Sequence, residues 1–400
     1  MTQQINAQEI IQKEREYILA TYTRLPFVLS HGNRSYLFDT EGNKYLDFGS
    51  GIAVTALGHS DAEVVRAIQQ QAQTLSHVSN LYHTVPHAEL AERLCQYSFA
   101  EKVFFSNSGA EAVEAALKFA RKYARENFTE RKSKLVAFTN GFHGRTYGAL
   151  SITAREKYQA PFRPLVPDVE FTAFNDIAAA QQAIDADTCA VVVEIVQGEG
   201  GVNLASQEFL RGLQSECAEN DALLIVDEIQ TGFGRTGKLW AYQHFDVQPD
   251  IVTLAKAMGG GLPIGVTLVT NSVSNVIKAG DHGSTFGGGP IAASAALVVL
   301  ERTRSQTMLD HVQKMGACLT QEIRALNLPQ VVEIRSLGLM VGIELNTEAA
   351  PFYERAHEYE ILLLTAGANV IRLLPPLTIT ETEIDQFIQA FKNLLMDKKI

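Results

Sequence analysis

The chain has 400 residues, of which 46% are hydrophobic and 20% charged, and a formal net charge of -11. That length exceeds what one hydrophobic core usually organises, so a large domain with a smaller companion is expected. The acidic balance argues against nucleic acid or an anionic membrane as partner, and no apolar run approaches membrane-spanning length.

The first stretch, MTQQINAQEIIQKERE, has no apolar segment of the secretory kind and carries acids that a transit peptide avoids. Cys95, Cys189, Cys217 and Cys318 are scattered, with no C-x-x-C and no metal-ligand spacing. Reduced thiols in a cytoplasm, and no metal, are the expectation. Residues 1 to about 24 read as a polar leading helix. Tyr36 to Phe38 and Lys44 to Phe48 flank the turn DTEGN as a hairpin. A glycine-containing loop, SGIAVTALGH, then precedes a helix whose start shows a capping-box pattern in Ser60 and Glu63, with apolar Val64, Val65, Ile68, Ala72 and Leu75 at helical spacing. His77, His83 and His87 follow, but no carboxylate or cysteine completes a metal set, so they read as loop polarity.

From Lys102 to Asp227, strand-like KVFF, KLVAF, VEFTA, CAVVVEIV and LLIVD alternate with helical stretches, notably Glu111 to Ala124 and Ser206 to Glu219. That alternation predicts a parallel α/β sheet with functional residues in the loops after its strands. Three of those loops carry chemistry. In SNSGAEA (106–112), small residues, hydroxyls and backbone amides at a helix start suit a phosphate, while simple capping by Ser108 explains the same pattern. In NGFHGRT (140–146), Phe142 is either core or a ring that stacks on a flat ligand, and Arg145 either surface or a bidentate carboxylate grip. In EIVQGEGGV (194–202), Glu194 and Glu199 bracket a turn, and taken alone either is a solvated loop acid.

The apolar run Leu223 to Val226 ends at Asp227, where open α/β sheets bind ligands, and the glycine-rich QTGFGRTG that follows cannot be a stable helix. A second apolar run, Ile251 to Ala255, ends at Lys256, followed by AMGGG. A lone strand-end lysine more often snorkels or pairs with an acid. As a pair, a desolvated lysine amine and a buried carboxylate are what pyridoxal phosphate requires, one to condense with its aldehyde and one to hold its protonated ring nitrogen. GSTFGGGP (283–290) reads as a turn or a phosphate contact. Beyond it the chain becomes α+β: VVEIRSLGLMVGIEL and ILLLTAGANVIRLLPPL read as strands, and Thr380 with Glu383 caps a last helix buried through Ile384, Phe387, Ile388, Phe391 and Leu395. Arg372, inside VIRLLPPL, needs a carboxylate partner or ligand if buried.

Leu223 to Gly265 resembles, almost residue for residue, the lysine-site signature of the class III (ω-amino acid) pyridoxal-phosphate aminotransferases, and the likeness covers nearly the whole chain. It implies a fold-type I α/β enzyme: a large domain with a mainly parallel sheet (56–300) and a smaller α+β domain built from both termini (1–55 and 301–400). Lys256 would hold pyridoxal 5'-phosphate covalently and shuttle protons, with Asp227 on the ring nitrogen. Ser108, Gly109 and Ala110 would hold the phosphate, Phe142 stack on the ring and Gln230 bond its phenolic oxygen. Arg145 would take a distal carboxylate, Ser284 would join the substrate contacts, and Glu199 would cover Arg372 until a keto-acid carboxylate displaces it. Thr285 would reach the phosphate of the other subunit, which implies a homodimer with shared active sites. His143 and Gly51 fit the acetylornithine branch, because ornithine-type members usually carry a tryptophan and a tyrosine there; Val113, Ile195 and Gly289 depart from the commoner asparagine, proline and asparagine. The expected substrates are N-acetylornithine, 2-oxoglutarate and glutamate. Succinylornithine, ornithine, 4-aminobutyrate and N-succinyl-diaminopimelate stay open as donors, since one methylene discriminates by only about 1 to 3 kcal/mol. An aminomutase of the glutamate-semialdehyde type and a non-catalytic dimeric binding protein are the other readings.

Overall fold

The structure, a computed structural model, describes residues 6–397. Its centre is a seven-stranded sheet in the order Lys102–Ser106, Gly265–Val269, Ile251–Leu254, Leu223–Asp227, Thr188–Glu194, Lys134–Phe138, Val169–Thr172. Gly265–Val269 runs antiparallel to both of its neighbours, and the other observed pairings are parallel. That antiparallel strand was not foreseen, because its composition after the glycine run gives no sign of direction.

The period-two alternation of strand side chains divides the sheet between two cores. Val191, Val193, Leu224, Val226, Val252 and Leu254 face one, whereas Ala190, Val192, Leu223, Ile225 and Ile251 face the other. All residues of the strands Thr188–Glu194, Leu223–Asp227 and Ile251–Leu254 are buried, which is why they read as continuous apolar runs. The helix Gly109–Asn127 covers one face through Ala112, Val113, Ala116, Phe119 and Ala120, and Gln207–Glu219 covers the other through Phe209, Leu210 and Leu213. Parallel pairing sets Asp227 beside Glu194 and Thr253 at one edge of the sheet, so ionisable residues gather where the apolar runs stop.

Two four-stranded sheets flank this one. The first joins Leu29–Asn33, Tyr36–Asp39 and Lys44–Asp47 to Ile361–Leu362, so the two ends of the chain share hydrogen bonds. Phe48 stacks on Phe387 of the last helix at 3.8 Å, and Tyr36 donates to Gln386 at 2.7 Å. The second contains Val331–Leu337, Met340–Leu345, Val370–Leu373 and Leu364–Ala366. The last helix, Glu381–Leu395, starts with the expected capping box of Thr380 and Glu383.

Two local expectations are corrected and a third is refined. The leading helix is Ala7–Tyr17 and stops well short of residue 24. Ser60 does not cap the helix Ala62–Thr74: its φ of 55° places it in the left-handed region, and Asp61 accepts from the amides of Glu63 and Val64 instead. The SGIAV loop is a tight turn in which Ser50, Gly51, Ile52 and Ala53 all have positive φ, from 46° to 64°, closed by bonds from Ala53 N to Gly49 O and Val54 N to Ser50 O. Three of those residues are not glycine, so the turn stores backbone strain of about 1 to 2 kcal/mol per residue. Among the described residues no helix is long and apolar enough to cross a membrane.

Candidate active site

Lys256 follows directly from the strand Ile251–Leu254 and Ala255, and has φ of 42° at the start of a short 3-10 turn, Lys256–Gly259. Positive φ at a lysine is an uncommon strain of the sort that gathers at functional sites. Gly260 and Gly261, at 57° and 113°, then carry the chain around the bend. Lys256 lines a cavity of 450 Å³ together with Ser108, Gly109, Phe142, Arg145 and Asp227. Burial, aided by the charge of Arg372, lowers the lysine pKa to about 8 against the pull of Glu199, Asp227 and Glu194. A neutral amine is therefore accessible near physiological pH.

Asp227 is 4% exposed. One carboxylate oxygen lies 2.8 Å from His143 Nδ1, and the other accepts the Ile229 amide at 3.1 Å. Burial alone would lower the His143 pKa, but its hydrogen bond to Asp227 and the charges of Asp227 and Glu194 outweigh burial and raise it. Glu194 completes the group. Its oxygens accept the amides of Phe142 and Gly198 at 3.0 and 3.3 Å, and burial pushes its pKa up to about 7, with His143 opposing and Asp227 reinforcing the rise. One imidazole thus sits among two carboxylates in the lining of the cavity. His143 and Glu194 had been read only as a branch marker and a loop acid. For Glu194 the available signal was positional, since it ends a buried parallel strand and the register sets it beside Asp227, whereas His143 lies in the loop five residues beyond the strand Lys134–Phe138 and meets Asp227 only through its side chain.

On another wall, Ser108 caps the helix Gly109–Asn127 by accepting from Glu111 N at 3.2 Å, so capping is real. Gly109 and Ala110 of that first turn nevertheless line the cavity. A Cβ on Gly109 would come within 2.8 Å of the Ile229 side chain, which explains the glycine there. Phe142 lines the same space, and the exposed Arg145 lies over the Tyr158 ring at 3.5 Å.

Arg372, 2% exposed, comes from the second flanking sheet; neither it nor Glu199 lines the cavity, but it bonds Gln230, which does. Its Nη1 donates to Glu199 Oε1 at 2.6 Å, Gly198 O at 2.9 Å and Gln230 Oε1 at 3.1 Å, while its Nε is buried without a partner. Gln230 therefore lines the cavity with its amide oxygen committed to Arg372. A Cβ on Gly198 would meet that amide at 2.5 Å.

Three other residues singled out from the sequence lie outside the cavity. Ser284 accepts from Asn107 Nδ2 and Gly287 N at 3.1 and 3.0 Å. Thr285 is exposed and lines a separate cleft with His77, Asn80 and His87. Gly51 lines a neighbouring cleft, and Val54, one turn later, reaches the Lys256 cavity. Among the described residues no group of three or more His, Cys, Asp or Glu is arranged to hold a metal.

A lysine of lowered pKa, a buried carboxylate buttressed by imidazole, a helix start and an aromatic ring share one cavity. These residues fit pyridoxal phosphate, whose aldehyde, ring nitrogen and phosphate each need one of those partners.

The family model "Aminotransferase class-III" matches residues 17–395. The acetylornithine aminotransferase, mitochondrial, of Alnus glutinosa is 46% identical over 396 residues, spanning 97% of this chain and 88% of the relative. The crystal structure of ornithine aminotransferase from Toxoplasma gondii superimposes with a TM-score of 0.94 at 31% identity, covering 98% of this chain and 95% of that one. The N-acetylornithine aminotransferase structure from Stenotrophomonas maltophilia gives 0.84 at 34% identity, covering 96% and 98%.

Proposed function

The chain belongs to the class-III aminotransferases, enzymes that depend on pyridoxal phosphate, and we propose that it moves the terminal amino group of N-acetylornithine to 2-oxoglutarate. The products are N-acetylglutamate 5-semialdehyde and glutamate, with the reverse direction serving arginine biosynthesis. The observation that carries this reading is the Arg372–Glu199 pair beside a lysine of lowered pKa. A guanidinium that can be covered or uncovered suits a pocket that must accept a donor without a carboxylate near the reacting carbon and a second donor that has one there.

When bound, pyridoxal phosphate supplies the aldehyde that receives the amino group and the ring that absorbs an electron pair. Lys256 Nζ would hold that aldehyde at rest, and as general base and acid it would take the proton from the substrate carbon bearing nitrogen and deliver it to the cofactor carbon on the other side of that nitrogen. Asp227 would keep the ring nitrogen protonated, and His143, hydrogen-bonded to it, would fix the carboxylate for that task. Ser108, Gly109 and Ala110 would hold the phosphate, Phe142 would stack on the ring, and Gln230, whose amide oxygen is held by Arg372, would have its amide nitrogen for the phenolic oxygen. Arg145, exposed at the cavity wall, takes the distal carboxylate of N-acetylornithine. Glu199 neutralises Arg372 while that donor reacts, and the α-carboxylate of glutamate displaces it in the other half of the cycle.

Ser284 and Thr285 do not line their own chain's cavity, although Ser284 bonds Asn107 at its edge, and this supports a homodimer in which Thr285 reaches the neighbouring subunit's phosphate and Ser284 its substrate. The division into 1–55, 56–300 and 301–400, and cytoplasmic residence, belong to the same proposal; the shared sheet of the two termini supports the first and four unpaired thiols the second. Free ornithine is the second donor to consider, because the ornithine enzyme from Toxoplasma gondii gives the higher TM-score of the two structures. A panel of N-acetylornithine, ornithine, N-succinylornithine, 4-aminobutyrate and N-succinyl-diaminopimelate with 2-oxoglutarate decides between them. N-acetylornithine is expected to show the highest kcat/KM, and a higher value for ornithine would overturn the choice of substrate while leaving the family intact.

A further inference from the structure

The segment 198–201 that carries Glu199 is held by its carbonyls. Gly198 O accepts from Arg372 Nη1 at 2.9 Å, and Gly200 O from Asn203 Nδ2 at 3.0 Å. Gly201 O accepts from Arg335 Nε and Nη2 at 3.2 and 2.9 Å, and Arg335 is itself fixed between Glu333 and Glu344, each at 2.5 Å. The remaining carbonyl, that of Glu199, accepts from Arg155 Nη2. On its far side the loop leaves no slack, since a Cβ on Gly200 would meet Asn140 O at 2.6 Å.

Arg155 is unusual for a half-buried guanidinium. It forms no ion pair with a carboxylate among the described residues, and its Nε is buried without a partner. Its position is nonetheless well determined. Ala154 bridges to Thr139 in the manner of a strand, Arg155 N donates to Thr153 O at 2.7 Å, and the buried Gln159 amide donates to the carbonyls of Leu150, Ser151 and Thr153 at 2.9 to 3.2 Å. A buttressed cation, with the Tyr158 ring 5.9 Å from its Cζ, therefore gives its hydrogen bond to one peptide oxygen, that of the residue whose side chain covers Arg372.

We propose that Arg155 is a positioning residue for Glu199: it clamps the Glu199 peptide so that Arg372 is uncovered by rotation of the glutamate side chain, with the loop backbone held still. The inference rests on the assignment of Glu199 as the group that covers Arg372. With its peptide fixed, the Glu199 carboxylate returns to one place opposite Arg372, and the entropy of finding it is already removed. Without the clamp, the covered state loses that pre-organisation and Arg372 stands open more often. The donor whose carboxylate needs Arg372 gains relative to the donor that does not.

The test measures both half-reactions, glutamate and N-acetylornithine, by stopped flow in Arg155→Met, Arg155→Gln and Arg155→Lys, each alone and combined with Glu199→Ala. Hydrogen exchange of the peptide covering 198–202 is followed in the same proteins with and without cofactor. Arg155→Met and Arg155→Gln are expected to raise the glutamate to N-acetylornithine efficiency ratio by about threefold to tenfold, the scale on which one charged hydrogen bond shifts a two-state balance. Arg155→Lys, which keeps a donor, should shift it less. In the Glu199→Ala background the same changes should leave the ratio within about twofold, because the group being positioned is gone. Faster exchange at 198–202 should accompany the shift. A ratio that stays at wild type, a shift that persists undiminished without Glu199, or unchanged exchange overturns the role of Arg155. Glu199→Ala measured alone separates a failure of the underlying assignment from a failure at Arg155.

Discussion

The two sides of the site are built differently. Asp227, Glu194 and Lys256 stand at or just beyond the ends of three adjacent strands of one sheet, and hydrogen-bonded register fixes the spacing of the first two. The Glu199–Arg372 side joins residues 173 apart in sequence and is assembled from a loop and a separate small sheet. Parallel strands between two cores barely move relative to one another, whereas a contact across packed elements can be made and unmade. Groups that must keep one geometry thus occupy the first side, and the pair that must alternate occupies the second.

Removing Lys256 attacks the fixed side most directly. Lys256→Ala should lower turnover by about 10⁴-fold or more, since it deletes both the covalent anchor and the proton carrier, while circular dichroism shows an intact fold. Wild-type-like turnover in that variant would sink the assignment. Asp227→Ala should follow, with cofactor affinity weakened and the half-reactions slowed by about 10² to 10³ for either donor alike, as loss of one preorganised charge at a reacting group does. A donor-selective loss would mean that the sides are not separable as described.

Glu199→Ala tests the alternating side and should distinguish donors. The ratio of glutamate to N-acetylornithine half-reaction efficiency should rise by about 10-fold to 100-fold, equivalent to about 1.5 to 3 kcal/mol for one charged contact. An equal loss for both donors would make Glu199 a structural residue. The smallest effect is a displacement along the pH axis. Burial lowers the Lys256 pKa from 10.5 to about 8, so the free amine appears as pH rises through about 8. The rate at which cofactor-free protein is covalently trapped by pyridoxal phosphate, read by absorbance, should climb with a midpoint near that value. Replacing Arg372 by methionine should move the midpoint up, because its positive charge is the second cause of the lowering. A midpoint near 10.5 in the unaltered protein would contradict the burial argument.

Much of the fixed side was legible because sequence and position coincide there. Apolar runs end at Asp227 and Lys256, and a parallel sheet must place such ends together. Arg372 was also recognisable, since a cation inside VIRLLPPL demands a partner, and Glu199 supplies it. What sequence concealed depends on register across elements. Nothing local marks His143 as the neighbour of Asp227, 84 positions away, or Gln230 as an acceptor for Arg372. The antiparallel direction of Gly265–Val269 and the choice of Asp61 over Ser60 as cap likewise follow from tertiary geometry that composition does not encode.

The turn at Ser50 to Ala53 bears on how this scaffold can diversify. Each of its four residues has positive φ, and a Cβ on Gly51 would meet nothing nearer than Val54 Cβ at 3.7 Å. A side chain introduced at Gly51 faces open space and a strain that its three neighbours already tolerate, so the penalty is about 1 to 2 kcal/mol. Stability of several kcal/mol leaves room for that change in a single mutational step. The turn is one position from which Val54 enters the cavity, so residue 51 can drift between glycine and larger side chains with the catalytic strands untouched.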